Sequence, residues 1–206
     1  CDLPSADYNR WEQLVNHYKF KNIFKKRDGK GILIALNAKT SPAMMSYKLE
    51  NWLYDTVKQL RDVTDEPIYI RHHRKRKKGY TEKYNEMKKQ FKVKEETDTR
   101  DAGIPVKYRT ALSFTTTFSV QSLMYGTPHI CGHPGNFVSN ITPSDITEEN
   151  LDFYPNQDDL AYHYARLARC EWTVDEIKSG QCWDTLRPLP NNKTNYQWLG
   201  DDYATV

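Results

Sequence analysis

Glycine-rich signatures are missing from this chain. Its 9 glycines form neither a Gly-x-Gly-x-x-Gly turn nor a Walker loop, and no serine sits in a Gly-x-Ser-x-Gly elbow. P-loop kinase and elbow-type hydrolase chemistry therefore have no specific support. Cysteine is sparse: Cys1, Cys131, Cys170 and Cys182 lie far apart with no Cys-x-x-Cys pair, which argues against a disulfide scaffold and for a reducing compartment, the cytoplasm. No apolar run approaches the ~20 residues of a membrane helix, and the first residues lack the apolar core of a signal peptide. The sequons at Asn140 and Asn192 are then expected to be chance matches. No helix-turn-helix, zinc-ligand or RNA-recognition pattern is visible, and there is no internal repeat. The first residue is Cys1 rather than Met, so a processed chain or a fragment is expected, with part of an active site then held elsewhere.

What is present is enough for a folded domain. Hydrophobic residues make up 38% and aromatic residues 13% of 206 positions, with a mean hydropathy of -0.84, a length suited to one medium domain with appendages. The net charge is only +3, but it is unevenly spread. From Arg71 to Lys94, eleven lysines and arginines face only Glu82 and Glu86, so one surface carries a strong positive potential.

Apolar periodicity sets the order of elements. Trp11, Leu14, Val15 and Tyr18 give a helix over Asp7–Lys21. Gly31–Asn37 is a continuous apolar run too short for a solitary helix, which suits a strand covered on both faces. Leu49, Trp52, Leu53, Thr56, Val57 and Leu60 mark one helical face ending near Thr64, and Pro67–Ile70 reads as a second strand. A basic helix over Thr81–Phe91 follows, then a weak strand near Phe91–Val93. A third strong strand is Ala111–Phe114, with a helix over Phe118–Tyr125 and a strand at Pro128–Cys131. Residues 132–157 read as loop, and a helix resumes near Asp158. Thr173-Val-Asp-Glu176 matches a capping box, with Gly180 placed to end the helix it opens. Alternation of this kind predicts an α/β fold: a single Rossmann-like, doubly wound parallel sheet with a C-terminal helical tail. The expected divisions are 1–30 (helix and lead-in), 31–157 (the sheet domain) and 158–206 (helices and tail packing back on it).

Two constellations bear on function. Thr115, Thr116, Thr117 and Ser119 stand where a strand ends and a helix begins, a place where hydroxyls and free backbone N–H groups can receive a phosphate; the alternative is that they are strand formers and helix caps without a ligand. Arg71, His72, His73 and Arg74 leave the end of the preceding strong strand. In a parallel sheet that end opens on the same side, so Arg71 or Arg74 would reach a diphosphate bound at the hydroxyls. Lys75, Arg76, Lys77 and Lys78 fit a solvated basic loop, or a nucleic-acid contact supported by Tyr80 and Tyr84. His129, Cys131 and His133 are weak metal candidates, with Cys131 expected to point away from the two histidines; no further ligand pair accompanies them, so a buried strand with polar ends is the preferred reading and no metal is expected.

The segment Thr115-Thr-Thr-Phe-Ser-Val-Gln121-Ser-Leu-Met-Tyr-Gly126-Thr-Pro128-His-Ile resembles the donor-binding segment of GT-B glycosyltransferases, in which small hydroxyl residues precede a helix carrying Glu-Ala and ending in Gly-x-Pro. Upstream, Tyr69-Ile-Arg71-His-His73 is similar to the Arg/Lys-Pro-His-Pro turn of capsule-polysaccharide transferases. Together these cover roughly 31–133. The stretch from Leu167 to Trp183 resembles tails of phage-encoded proteins that carry such a domain. The resemblance implies a metal-independent transferase-like protein, possessing the donor half of a GT-B enzyme and using a nucleotide sugar as co-substrate with no other cofactor. Arg71, His73, Arg74, Thr115, Thr116 and Thr117 would hold the donor diphosphate and Gln121 the ribose; the family usually has Glu at that last position, Ala where Ser122 stands and Pro where His72 stands. The acceptor would be a polysaccharide or a modified base in nucleic acid, and a partner or upstream domain would supply the acceptor half with the catalytic residues, which this chain does not reveal. A phage protein would work in the host cytoplasm. The reading from another class is a non-catalytic nucleic-acid-binding or virion-associated module that reuses the fold.

Overall fold

The computed structural model describes residues 5–38, 48–73, 81–96 and 107–186. In chain order the elements are α1 (Tyr8–Tyr18), β1 (Ile32–Ala35), α2 (Leu49–Val63), β2 (Ile68–Arg71), α3 (Glu82–Gln90), β3 (Lys94–Glu95), β4 (Thr110–Ser113), α4 (Phe118–Met124), β5 (His129–Cys131), α5 (Glu148–Leu151), α6 (Gln157–Ala168), α7 (Val174–Lys178) and α8 (Gln181–Leu186). Two compact units result, one from Lys21–Gln157 and one from Cys1–Phe20 with Asp158–Val206.

The first unit is an α/β Rossmann-like domain. Its five strands are ordered β3-β2-β1-β4-β5, and every pairing is parallel. β1 lies at the centre, its Ala35 level with Arg71 of β2 on one side and Ser113 of β4 on the other. All four β1 residues are buried, which is why its sequence is apolar without alternation. Ile32, Ile34, Ile68, Ile70, Leu112 and Ile130 face α2 and α3, where Leu53, Val57, Leu60, Tyr84 and Met87 complete the larger core. Burying each such leucine or isoleucine contributes ~1.5–3 kcal/mol against the cost of ordering it. Leu33, Ala35 and Ala111 face the other way, towards Tyr108 and Phe118. β2 is buried only at alternate positions, so Tyr69 and Arg71 retain some exposure.

At the amino-terminal edge of the sheet, Arg109 makes a fork to Asp152 (2.9 and 2.5 Å) and a third bond to Glu66 (2.8 Å). Glu66 in turn accepts the Gly31 N–H at 2.5 Å, so one guanidinium ties β4, the β1 entry and the end of α5. The Asp152 carboxyl is held below its usual range, chiefly by the Arg109 hydrogen bond.

Three local expectations change. The edge strand is β3 at Lys94–Glu95, while Phe91 caps α3. The stretch expected as loop contains α5, capped by the Thr147 side chain, a single turn too short to show a helical period. His129 and Cys131 are level with Ala111 and Ser113 on the same face of the sheet, because residues two apart on a strand point the same way; Cys131 does not turn away from His129.

In the second unit the Asp7 side chain caps α1 by accepting the Arg10 N–H at 2.9 Å. Arg10 then reaches Glu176 with both terminal nitrogens (2.5 and 2.6 Å) and the Glu171 carbonyl at 2.7 Å. Thr173 and Glu176 form the capping box that the sequence predicts, so the same glutamate both caps α7 and binds α1. The Arg10 and Thr173 bonds pull its carboxyl from 4.5 down to about 2. A depressed carboxylate contributes stability above its ordinary value and loses it as pH falls through the folded one. The Glu176→Gln variant is expected to be about 1 kcal/mol less stable at neutral pH, as for a near-surface pair, with the difference vanishing between about pH 4.5 and pH 2; urea unfolding across that range checks it.

Candidate functional site

In a sheet of this order the chain leaves β1 towards β2 and later returns to β1's other side as β4, so the loops after β1 and β4 diverge and leave a crevice at the carboxyl ends. A crevice of about 180 Å³ is found there, lined by Ala35 and Leu36 at the end of β1, Arg71, His72 and His73 at the end of β2, and Thr116, Thr117, Phe118 and Gln121 around the start of α4. The fold thus brings together Arg71, His73, Thr116, Thr117 and Gln121, which lie as much as 50 residues apart in sequence. Thr117, Gln121 and His73 are exposed. Arg74, Lys75, Arg76, Lys77 and Lys78 lie outside the described residues.

Thr115 is held beside the crevice. Its N–H donates to Asn37 Oδ1 at 3.3 Å and its hydroxyl accepts from Asn37 Nδ2 at 3.0 Å, so the loop leaving β1 pins the turn following β4. Behind it, Asn136 Nδ2 donates to Phe114 O at 3.0 Å and Ser113 Oγ at 3.2 Å, and that hydroxyl pairs with His129 Nε2 at 3.0 Å. Burial pushes His129 down to about 3, so this ring is neutral and serves packing. Burial likewise raises the Cys131 thiol to about 11, which leaves it an inert partner of Thr142 at 3.0 Å. Replacing Asn37 by alanine strands a half-buried Thr115 N–H and frees the turn. The expected cost is about 1–2 kcal/mol, read by urea unfolding.

The start of α4 differs from the expected set of free amides. Phe118 N–H donates to Thr116 Oγ1 (3.3 Å), Ser119 N–H to Thr116 O (3.1 Å) and Val120 N–H to Thr117 O (3.1 Å). Ser119 is fully buried and its hydroxyl donates back to Thr116 O at 2.9 Å. Short as α4 is, the amides of Phe118, Ser119 and Val120 are satisfied locally, so the threonine hydroxyls, Gln121 and Arg71 are the side-chain donors at the crevice. The Arg71 guanidinium lies 5.2 Å from the Phe118 ring centroid, in cation–π range, and its carbonyl accepts the Leu36 N–H at 2.9 Å. His72 Nε2 is 2.9 Å from Tyr84 Oη and 3.6 Å from Glu95 Oε1, and Glu95 is paired with Lys88 at 2.7 Å. The crevice wall formed by β2 is therefore positive and polar and suits an anionic group. Among the described residues no group of three or more His, Cys, Asp or Glu side chains gathers as a metal site.

Asn37, Asn136 and the contacts of His72 with Tyr84 and Glu95 escape sequence reading. A single asparagine directly after a buried apolar run was the available signal for Asn37, since a polar side chain there needs a partner.

Fold and crevice define a Rossmann-like α/β domain with a cationic, hydroxyl-lined opening at its topological switch point. No family model matches the chain and no curated protein matches it. A solved structure that is similar to it is Thermosulfurimonas dismutans KpsC, a beta Kdo 2,7 transferase, at 13% identity and a TM-score of 0.47, covering 77% of this chain and 51% of that one. The chain spans about half the length of that protein. No helix among the described residues is long and apolar enough to cross a membrane.

Proposed function

We propose that this chain is a glycosyltransferase-like domain that binds the diphosphate of a nucleotide sugar in the β1–β2–β4 crevice. The observation that supports this reading most directly is the convergence of Arg71, His73, Thr116 and Thr117 on one opening, where a bidentate cation and hydroxyl donors face each other. Gln121, one turn along α4 from Thr117, is exposed at the same opening and would hydrogen-bond a ribose hydroxyl. Transfer would need no metal: holding the donor in place and stabilising the charge that develops on its departing diphosphate are tasks for Arg71, His73 and the threonine hydroxyls. The sugar would pass to a polysaccharide or to a modified base in nucleic acid, with the acceptor half and its catalytic base supplied by a partner or an upstream domain.

Calorimetry against a panel of nucleoside diphosphates and their sugars tests the reading. Binding of one diphosphate class, weakened by Thr116→Ala and Thr117→Ala, is expected; failure of every member to bind would overturn it. The basic run from Arg71 to Lys94 favours a second reading, a non-catalytic nucleic-acid-binding module. Salt-dependent DNA binding that persists in the two threonine variants, without any nucleotide binding, would select that one.

A further inference from the structure

A second cavity, of about 320 Å³, opens on the α2 side of the sheet, away from α4. Leu112 and Ile130 line it together with Ile146, beside a stripe of α2 formed by Trp52, Asp55, Thr56 and Gln59 and the facing Ser144. The volume is at the small end of the ~300–1,000 Å³ of ligand pockets. Among the described residues the side chains of Asp55, Thr56, Gln59 and Ser144 have no hydrogen-bond partner, although Thr56 is only 5% exposed. Buried polar groups are ordinarily satisfied, so Thr56, buried without a hydrogen bond beside the exposed Asp55, Gln59 and Ser144, marks this hollow as a place for a ligand that brings its own hydrogen bonds.

We infer that this cavity is a binding site for a neutral sugar residue, distinct from the crevice at the carboxyl ends of the strands. A sugar ring has one apolar C–H face and a rim of hydroxyls, and the cavity has the complement of both. The indole of Trp52 supplies the apolar platform. It is fixed edge-on by Phe114, with ring centroids 5.4 Å apart, and by the backbone of Gly132, where an added Cβ would stand 2.8 Å from the ring. A platform held in advance lowers the entropic cost of binding. The Asp55 carboxylate accepts from two adjacent hydroxyls, Gln59 both donates and accepts, and Thr56 and Ser144 do either. Among the described residues Asp55 is the only charged side chain lining the cavity, so an anionic sugar or a phosphate is repelled here, the reverse of the preference expected at Arg71.

The site does not depend on the donor reading, and its test is separate. Glucose, galactose, mannose, N-acetylglucosamine and maltose are titrated into the full chain while the Trp52 indole N–H is followed by NMR, its resonance assigned through Trp52→Phe. At least one sugar is expected to shift that resonance. Its affinity should fall about tenfold in Asp55→Asn, the loss of one charged hydrogen bond, and measurably in Gln59→Ala; both residues are exposed on α2, so folding should survive. Arg71→Ala should leave the affinity within about twofold, as for well-separated positions. The proposal is overturned if no sugar moves the resonance, if the affinity is unchanged in both α2 variants, or if choline binds at the indole and the sugars do not.

Discussion

Gly126→Ala is expected to destabilise the sheet domain by about 4 kcal/mol, in the upper tail of single-substitution effects. Gly126 closes α4 with φ +90, a backbone region costing a non-glycine residue ~1–2 kcal/mol by itself. The larger part is steric: a Cβ would stand 1.9 Å from the Lys25 carbonyl oxygen, and the atom in the way is backbone, which cannot rotate aside. The segment it would displace satisfies the end of α4. Phe24 N–H donates to Met124 O (2.8 Å), Arg27 Nε to Tyr125 O (3.1 Å) and Arg27 N–H to Gly126 O (2.8 Å), while Tyr154 Oη donates to Leu123 O (2.6 Å). These external donors do for a helix of 7 residues what length does for a longer one. Gly180→Ala is the control, since Gly180 also has a positive φ, +86, but nothing within 4 Å of the added Cβ; it should cost only about 1 kcal/mol. Urea unfolding of the two variants separates strain from collision. Equal costs would show that the Lys25 contact yields readily.

The same contrast between pattern and contact explains what was legible in the sequence. β1 could be read because burial on both faces demands an unbroken apolar run, and α2 because one buried face imposes a period over four turns. Once these alternated, a parallel sheet followed, and with it the inference that residues after β2 and β4 share one side. That is a topological consequence and needs no contact information, which is why Arg71 and His73 could be grouped in advance with Thr116 and Thr117; Gln121 joined them only through the resemblance to GT-B transferases. The details of their surroundings could not. Asn37 and Asn136 act through single hydrogen-bonding side chains that leave no periodic trace, and β3 is two residues inside a charged stretch. Of the amides expected to be free at the start of α4, those of Phe118 and Ser119 are taken by the Thr116 hydroxyl and carbonyl and that of Val120 by the Thr117 carbonyl, a choice decided by local backbone geometry. His129, a residue type suited to metal binding, is a neutral core group of the buried strand, bonded to Ser113.

Arg71→Ala should weaken diphosphate binding about 10- to 100-fold, the equivalent of ~1.5–3 kcal/mol for charge-assisted hydrogen bonds, while leaving the affinity for the free nucleoside unchanged. The residue ends β2, where its carbonyl accepts the Leu36 N–H at 2.9 Å, so its backbone is fixed by the sheet itself. Its guanidinium lies over Phe118, the first residue of α4. That stacking relates the cation to the Thr116–Thr117 turn, and a fork oriented in this way loses less freedom on binding than a free chain end. Arg71→Lys keeps the charge without the fork or the planar stacking and should recover only part of the loss. Phe118→Leu should reproduce a fraction of it with Arg71 intact, because the ring that orients the guanidinium is gone. Calorimetry with a nucleoside diphosphate and the matching nucleoside reads all three. An equal loss for both ligands would remove Arg71 from the diphosphate and place its effect in the shape of the crevice; full affinity in the lysine variant would reduce its role to charge alone.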